Sequence, residues 1–230
     1  IMGHFWRSDW VRFGKIVGLG LPIALTLWSE GAVFAVAVGL MGLIGEASVA
    51  AHAVALQIAA VTFMVPLGLG QAATVRVGLG YGRKDAEALR RAGWTAFILG
   101  TGFMTCMALV MWSFPNELIA LFLAPTDSNA PVIALAASFL GVAAAFQIFD
   151  GAQVVGAGML RGLQDTRWPM IFAIFGYWVI GIGAGSVLAF KLQMEGVGVW
   201  MGLAAGLAAV SVMMLWRWTW RKRLGLLPPS

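Results

Sequence analysis

Six apolar runs, each long enough to cross a lipid bilayer, dominate this sequence and restrict the folds available to it. Hydrophobic residues make up 60% of the 230 residues and charged residues only 11%. A transmembrane helix needs about 20 predominantly apolar residues, and every run reaches that length. We therefore predict an all-α integral membrane protein whose six transmembrane helices span about residues 16–41, 49–74, 89–114, 131–160, 168–190 and 197–218.

The length and pattern of the runs argue against transmembrane β-strands. Such strands need only about ten residues and alternate apolar with polar side chains, whereas these runs are longer and apolar on all sides. Pro22 and Pro66 fall within the first two runs, and proline bends a helix by removing a backbone hydrogen bond. In the sixth run, Gly198, Gly202 and Gly206 recur at four-residue spacing, which predicts close packing against another helix.

The basic residues predict the orientation of the helices. All fifteen Lys and Arg residues except Lys191 precede the first helix, lie at or after the end of the sixth, or lie in or directly beside the second or fourth connection. Because Lys and Arg stay on the cytoplasmic side, we predict that both termini are cytoplasmic. This placement accounts for the basic charge without a nucleic-acid partner. In an outer connection, Asn116 to Ala124 predicts a short interfacial helix.

Two carboxylates stand in the middle of apolar runs, Glu30 in the first and Asp150 in the fourth. A charge at the bilayer centre costs about 2.5–3.5 kcal/mol on insertion scales, so such residues indicate a functional site. Glu30 lies fifteen residues after Lys15, a rise of about 22 Å. Asp150 lies eleven residues before Arg161, a rise of about 16 Å. Both carboxylates are therefore predicted near the midplane, where they can share a cavity that binds a cation.

Polar side chains accompany the carboxylates at helical spacing. Gln147 and Gln153 lie three residues before and after Asp150 and therefore share its face. Such residues either line a polar cavity or form hydrogen bonds that hold helices together, and a structural role is also open for each carboxylate. The candidate supporting residues are Gln147, Gln153, Gln57 and Thr26.

Other polar and aromatic residues have less specific interpretations. His52 falls near an interface, where we expect it to be solvated, and Cys106, the only cysteine, is expected to serve packing. Most tryptophans, among them Trp6 and Trp218, lie near predicted helix ends and fit an interfacial belt. The chain lacks the serine and aspartate motifs of intramembrane proteases and the GK[ST] ending of a phosphate-binding loop. We therefore predict neither an enzyme nor a cofactor.

Three segments of the sequence carry a more specific pattern. They are Pro22 to Glu30, the run AATVRVG at Ala72 to Gly78, and the run QVVGAGMLRGLQDTR at Gln153 to Arg167. Together with their flanks, these segments resemble the C-terminal half of a multidrug and toxic compound extrusion (MATE) transporter of the NorM-like branch. That family has twelve helices in two six-helix lobes. The resemblance implies that residues 1–230 form the second lobe and that the N-terminal lobe of the same transporter is its partner.

The resemblance also implies a function. Family members of this branch are multidrug antiporters of the bacterial inner membrane, in which residues matching Glu30 and Asp150 bind the coupling cation, Na⁺ or H⁺. Exported lipophilic organic cations are the implied substrates, carried by alternating access. Related sequences often have tyrosine at the position of Phe146, and the missing hydroxyl favours H⁺ over Na⁺. The candidate drug-pocket residues are Phe34, Phe63, Met64, Trp28 and Phe146.

Other membrane functions stay open at this point. A flippase for lipid-linked precursors with anionic headgroups would need arginines in its cavity, and no Lys or Arg lies centrally in a predicted helix. A cation channel would need a ring of carboxylates from several subunits. A membrane subunit without transport activity is the third alternative.

Overall fold

The computed structural model describes residues 9–227, and six long helices account for most of them. Trp6, which was predicted to lie in an interfacial belt, and Arg7, one of the basic residues before the first helix, lie outside the described residues. The helices are α1 (Trp10–Ile44), α2 (Glu46–Gly82), α3 (Ala86–Ser113), α4 (Pro115–Ala120), α5 (Ala130–Gly162), α6 (Arg167–Ile174), α7 (Gly183–Ser186) and α8 (Glu195–Thr219).

Helices α6 and α7 belong to one continuous helix, Arg167–Lys191, which we call the α6–α7 helix. It contains two π-helical segments, Phe175–Ile182 and Val187–Lys191. With this helix, six helices are long and apolar enough to cross a membrane. The prediction of an all-α membrane protein with six transmembrane helices is confirmed.

The helices extend beyond the predicted apolar spans at several ends. Helix α1 already begins at Trp10 and α2 continues to Gly82, because polar residues there continue the helix outside the apolar core. Asp9 caps α1 by accepting a hydrogen bond of 3.0 Å from the Arg12 N–H. Asp85 caps α3 in the same way, through the N–H groups of Glu87 and Ala88. Both caps satisfy donors that the first helical turn leaves free.

One glycine alone separates α1 from α2. Gly45 has a φ of 155°, a conformation that residues with a Cβ rarely adopt, so the tight reversal between the two helices depends on it. Pro22 and Pro66 both lie inside continuous helices. The hydroxyl of Thr26 donates a hydrogen bond of 2.8 Å to the Pro22 carbonyl.

Helix α5 occupies the centre of the bundle and packs against α2, α3 and α8. Its contact with α2 depends on two glycines, since a methyl group on Gly158 would lie 2.1 Å from the Gly70 carbonyl oxygen. Beside this contact, the Thr74 hydroxyl lies 3.0 Å from the Gly158 carbonyl oxygen, to which it donates. Small residues let the backbones approach closely, which is how helices associate in membranes.

The predicted close packing of the Gly198, Gly202 and Gly206 face is confirmed. A methyl group on Gly202 would lie 2.2 Å from the Gly185 Cα, and one on Gly206 would lie 2.6 Å from the Gly176 carbonyl oxygen. These contacts bring α8 directly against the α6–α7 helix.

Four sequence-based expectations differ from the structure. The outer short helix, α4, ends at Ala120 rather than at Ala124, because turns follow it. His52 is buried against the Trp200 ring, whose centroid lies 5.3 Å away, and is not solvated. Trp218 is buried as well, where it contacts Gly93, so it belongs to the core rather than to an interfacial belt. Cys106 is exposed. Hydropathy along the sequence indicates how deep a residue lies in the membrane, whereas the burial of its side chain depends on which helix packs beside it.

Candidate functional site: two carboxylates within the helix bundle

Glu30 lies in the middle of α1 and reaches a small cavity between α1, α5, the α6–α7 helix and α8. The volume of this cavity is about 10 Å³, which is at the lower limit for a single water molecule. It can therefore hold a small ion or water, but not an organic molecule. Its lining residues are Glu30, Val33, Phe34, Phe146, Tyr177, Gly181, Leu203 and Leu207.

Asp150 follows Phe146 by one helical turn on α5 and is 7% exposed. Its carboxyl group is close enough to that of Glu30 for the two charges to interact, although Asp150 itself does not line the cavity. Two like charges held together in a poorly solvated place favour the binding of a cation between or beside them. The arrangement can therefore exchange a proton or bind a small cation.

Gln147 links three helices. Its side-chain oxygen accepts a hydrogen bond of 2.8 Å from the Thr62 hydroxyl on α2. Its amide nitrogen donates to the Met104 carbonyl on α3 at 3.5 Å. Because Gln147 is fully buried, these contacts assign it to interhelical hydrogen bonding rather than to an open cavity wall.

The other predicted polar residues are spread over different surroundings. Gln153 is 2% exposed, and its side-chain oxygen has no hydrogen-bond partner within residues 9–227. Gln57 is exposed on α2, on the same face as Met64 and Gln71, which are also exposed. Thr26 is buried and bonds to its own helix. Of this group, none lines the cavity at Glu30.

Two of the candidate aromatic residues meet at the cavity. The rings of Phe34 and Phe146 pack edge to face with a centroid distance of 6.2 Å, and Phe146 packs in turn against Trp200 at 5.4 Å. Phe146 is 1% exposed, so it forms a fixed wall. Trp28 and Met64 instead point away from the bundle, with exposed fractions of 68% and 57%.

The sequence did not reveal two residues that neighbour the carboxylates. Tyr177 lines the cavity, and its buried hydroxyl has no hydrogen-bond partner in the described part of the chain. Arg161, at the end of α5, is close enough for its charge to interact with Glu30. Helical rise separates Arg161 from Asp150 by about 16 Å, and the sequence does not show which neighbouring helix the side chain of Arg161 can reach. Tyr177 could have been noticed as one of only two tyrosines.

The fold is similar to that of solved MATE transporters. It aligns with the eukaryotic MATE transporter AtDTX14 with a TM-score of 0.86 at 23% sequence identity, covering 95% of this chain and 49% of that one. It also aligns with the outward-facing conformation of a multidrug resistance MATE family transporter of the MOP superfamily, with a TM-score of 0.77 at 19% identity, covering 94% of this chain and 48% of that one. At these identities the likeness concerns the fold alone.

Sequence relatives are considerably more similar. The chain is 55% identical over 201 residues to the probable multidrug resistance protein NorM of Brucella suis biovar 1, covering 87% of this chain and 43% of that protein. It is 50% identical over 196 residues to the multidrug resistance protein NorM of Burkholderia vietnamiensis, covering 84% and 42% respectively. The chain thus spans less than half the length of these relatives. The MatE family model matches residues 22–187, and with these relatives it shows that the chain belongs to the MatE family of membrane transporters.

Proposed function

We propose that this chain forms one lobe of a cation-coupled multidrug antiporter, with Glu30 and Asp150 binding the coupling cation. The observation that carries the proposal is the contact between Phe34 on α1 and Phe146 on α5 beside the cavity at Glu30. Each ring lies one helical turn from a carboxylate, so Glu30 and Asp150 face each other from different helices within the membrane-spanning part of the bundle. An intramembrane carboxylate is costly to keep unless it binds an ion or a partner.

The coupling cation is H⁺ or Na⁺. A proton needs only the carboxylates, since neutralising one of them removes the repulsion between the pair. Na⁺, a hard cation, needs several oxygen ligands. The side chain of Phe146 offers no oxygen, which disfavours Na⁺. The hydroxyl of Tyr177, which has no hydrogen-bond partner among residues 9–227, lines the same cavity as Glu30 and can replace the missing oxygen. Both cations are therefore included in the test below.

The drug binds elsewhere than in the cavity at Glu30, because about 10 Å³ is far smaller than the roughly 300–1,000 Å³ typical of ligand pockets. The exposed faces of α1 and α2 are better suited to it. They present Trp28, Met64 and the partly buried Phe63, which offer apolar contact and cation–π attraction to a lipophilic cation. We assign these faces to the cleft shared with the partner lobe.

Competition between the drug and the coupling cation for the negative charge of the carboxylates couples drug export to cation uptake. A lipophilic cation is held while the carboxylates are charged, and uptake of H⁺ or Na⁺ at Glu30 and Asp150 removes that attraction and releases the drug outward. The lobe then recloses and discharges the coupling cation inward. In this mechanism a ligand shifts the conformational equilibrium only through its different affinities for the two states.

The basic residues and the family support a placement of the chain in the membrane. We assign residues 1–230 to the C-terminal lobe of a transporter in the bacterial inner membrane, with both ends of the segment cytoplasmic. The positive-inside distribution supports this orientation. The N-terminal lobe is the proposed partner.

Transport by the full-length protein in proteoliposomes tests the proposal. Ethidium movement is measured against imposed pH and Na⁺ gradients for wild type, Glu30→Gln and Asp150→Asn. We expect each variant to lose gradient-driven transport. Glu46→Gln, at an exposed glutamate that begins α2, is the matched control and should transport normally. Unchanged coupled transport in both Glu30→Gln and Asp150→Asn would refute the assignment.

A further inference from the structure

A groove opens between α2 and α3 at the face that carries most basic residues. We call it the α2–α3 groove. Its volume is about 540 Å³, and it extends along α2 from Arg83 to Leu69, a rise of about 21 Å. Small and apolar side chains form the part away from the arginines: Leu69, Ala72, Ala92, Thr95, Ala96 and Leu99.

The groove exists because α2 and α3 touch at one end, while farther along both helices carry small residues on the sides that face each other. A methyl group on Gly80 would lie 3.0 Å from the Leu89 backbone nitrogen, so α2 and α3 touch there. Farther along, alanines at positions 72, 92 and 96 leave the space between the helices unfilled. The result is a narrow apolar channel open on one side.

Three arginines, Arg76, Arg83 and Arg91, line the charged end of the groove. Arg76 and Arg83 form no ion pair with any residue in 9–227, and Arg91 lies 3.8 Å from Glu87. Glu87 is held more closely by another residue, Arg90, at 2.9 Å. The guanidinium groups that face the groove are therefore mostly uncompensated.

The groove also contains one acidic residue, Asp85. Its side-chain oxygen accepts the N–H groups of Glu87 and Ala88 at 3.1 and 2.9 Å, where it caps α3. It is therefore held by the helix, and its single negative charge offsets at most one of the three arginines. The groove combines net positive charge at one end with an apolar channel at the other.

We propose that the α2–α3 groove binds an anionic phospholipid. The three arginines hold the phosphate headgroup, and an acyl chain lies along the alanine-lined channel toward Leu69 and Leu99. Charge complementarity selects the headgroup, since basic clusters between helices at the cytoplasmic side attract anionic lipids. The apolar channel distinguishes a lipid from free phosphate, which would leave that channel empty. The proposal is independent of ion coupling at Glu30.

Native mass spectrometry of the full-length transporter in detergent provides the test. Phosphatidylglycerol or phosphatidylcholine is added in increasing amounts, and the fraction of lipid-bound protein is measured. We expect phosphatidylglycerol to bind about a hundredfold more tightly than phosphatidylcholine, since each of the three arginines near the headgroup contributes about fivefold. Replacing Arg76, Arg83 and Arg91 together by glutamine should abolish this preference.

Two further variants make the result specific. Ala72→Phe places a large side chain in the channel at an exposed position, so it should weaken phosphatidylglycerol binding without removing charge or disturbing the core. A control triple variant, Arg12→Gln with Lys222→Gln and Arg223→Gln, removes the same charge at exposed residues of the same face and should bind as wild type does.

Three results would each overturn the proposal. Equal loss in the control triple variant would mean that general surface charge holds the lipid. Normal phosphatidylglycerol binding by Ala72→Phe would mean that the acyl chain does not lie in the channel. Displacement of the lipid by millimolar inorganic phosphate would identify an anion site instead of a lipid site.

Discussion

The indole Nε1 of Trp178 donates a hydrogen bond of 2.8 Å to the hydroxyl of Ser29. This bond ties the α6–α7 helix to α1 at the residue directly before Glu30. Trp178 lies within the π-helical segment Phe175–Ile182, and π-helical turns inside α-helices are frequent at functional sites. The irregular segment thus holds α1 at the residue next to the carboxylate.

Loss of this hydrogen bond should weaken the lobe slightly and disturb the carboxylate site. We expect Ser29→Ala to lower the free energy of unfolding by about 0.6 kcal/mol and by no more than about 1.7 kcal/mol, the range found for hydrogen bonds between membrane helices. Reversible unfolding of the full-length protein in micelles measures this change. The apparent affinity for the coupling cation should also decrease.

Ser138→Ala is the matched control for Ser29→Ala. Ser138 is exposed and donates only to the Ala134 carbonyl of its own helix, at 3.1 Å. Its replacement should leave both stability and cation affinity unchanged. If the two alanine variants behave alike, the bond between Trp178 and Ser29 does not position α1.

The contact between α2 and α5 should tolerate no side chain at Gly158. An added methyl group would lie 2.1 Å from the Gly70 carbonyl oxygen, so Gly158→Ala must separate the two backbones. Overpacking usually lowers the free energy of unfolding by about 1–3 kcal/mol. Because the added methyl group would meet rigid backbone, we expect a loss of about 3 kcal/mol for Gly158→Ala. Thermal unfolding in detergent should show a clear decrease in midpoint temperature.

Gly141→Ala tests whether this effect is specific to the contact. Gly141 lies on the same helix, and apart from its own helix backbone and chain neighbours, a methyl group there would meet no atom of residues 9–227 within 4 Å. Alanine is favoured over glycine within a helix by up to about 1 kcal/mol, so Gly141→Ala should be as stable as wild type or slightly more stable. Similar destabilisation by both variants would contradict the argument.

The buried ion pair between Asp165 and Arg217 should contribute far more to the free energy of unfolding than the exposed pair of Asp9 and Arg12. The Arg217 Nε donates to an Asp165 carboxylate oxygen, and both side chains are less than 10% exposed. Removing one partner of a buried pair leaves an uncompensated charge and costs about 3–5 kcal/mol. We expect Asp165→Asn to destabilise the protein by about this amount, measured by denaturant unfolding.

A second measurement separates the charge effect from simple loss of packing. The pair of Asp9 and Arg12 is 3.0 Å long, and both side chains are at least half exposed, so Asp9→Asn should change stability by less than about 1 kcal/mol. Combining Asp165→Asn with Arg217→Met should recover part of the loss, because no unpaired charge remains buried. Failure of the double variant to recover would point to lost contacts instead.

The fold class could be predicted from the sequence, and the two intramembrane carboxylates could be singled out as candidates, because both follow from polarity along single helices. Six apolar runs specify six membrane helices, and Glu30 and Asp150 are conspicuous within such runs. Counting helical rise from Lys15 and Arg161 placed the two carboxylates at similar depth, and the contact between Phe34 and Phe146, each one helical turn from a carboxylate, agrees with that placement. The glycine spacing on α8 also predicted its close packing.

What the sequence could not supply was the identity of neighbouring helices. Gln147 was equally compatible with a cavity wall and with interhelical bonding, and only the position of Thr62 on α2 decides for the second. His52 was expected to be solvated, yet α8 covers it through Trp200. The same applies to Tyr177, whose relevance depends on α1 lying next to the α6–α7 helix.

Arg161 provides the last prediction, because it brings a positive charge near Glu30. A nearby cation opposes the binding of another cation, so Arg161→Gln should lower the concentration of coupling cation needed for half-maximal ethidium transport. We expect a decrease of about fivefold, equivalent to about 1 kcal/mol of removed repulsion. Arg167→Gln, at an exposed arginine, is the control and should leave this concentration unchanged. An unchanged or increased concentration for Arg161→Gln would show that Arg161 does not oppose cation binding at the carboxylates.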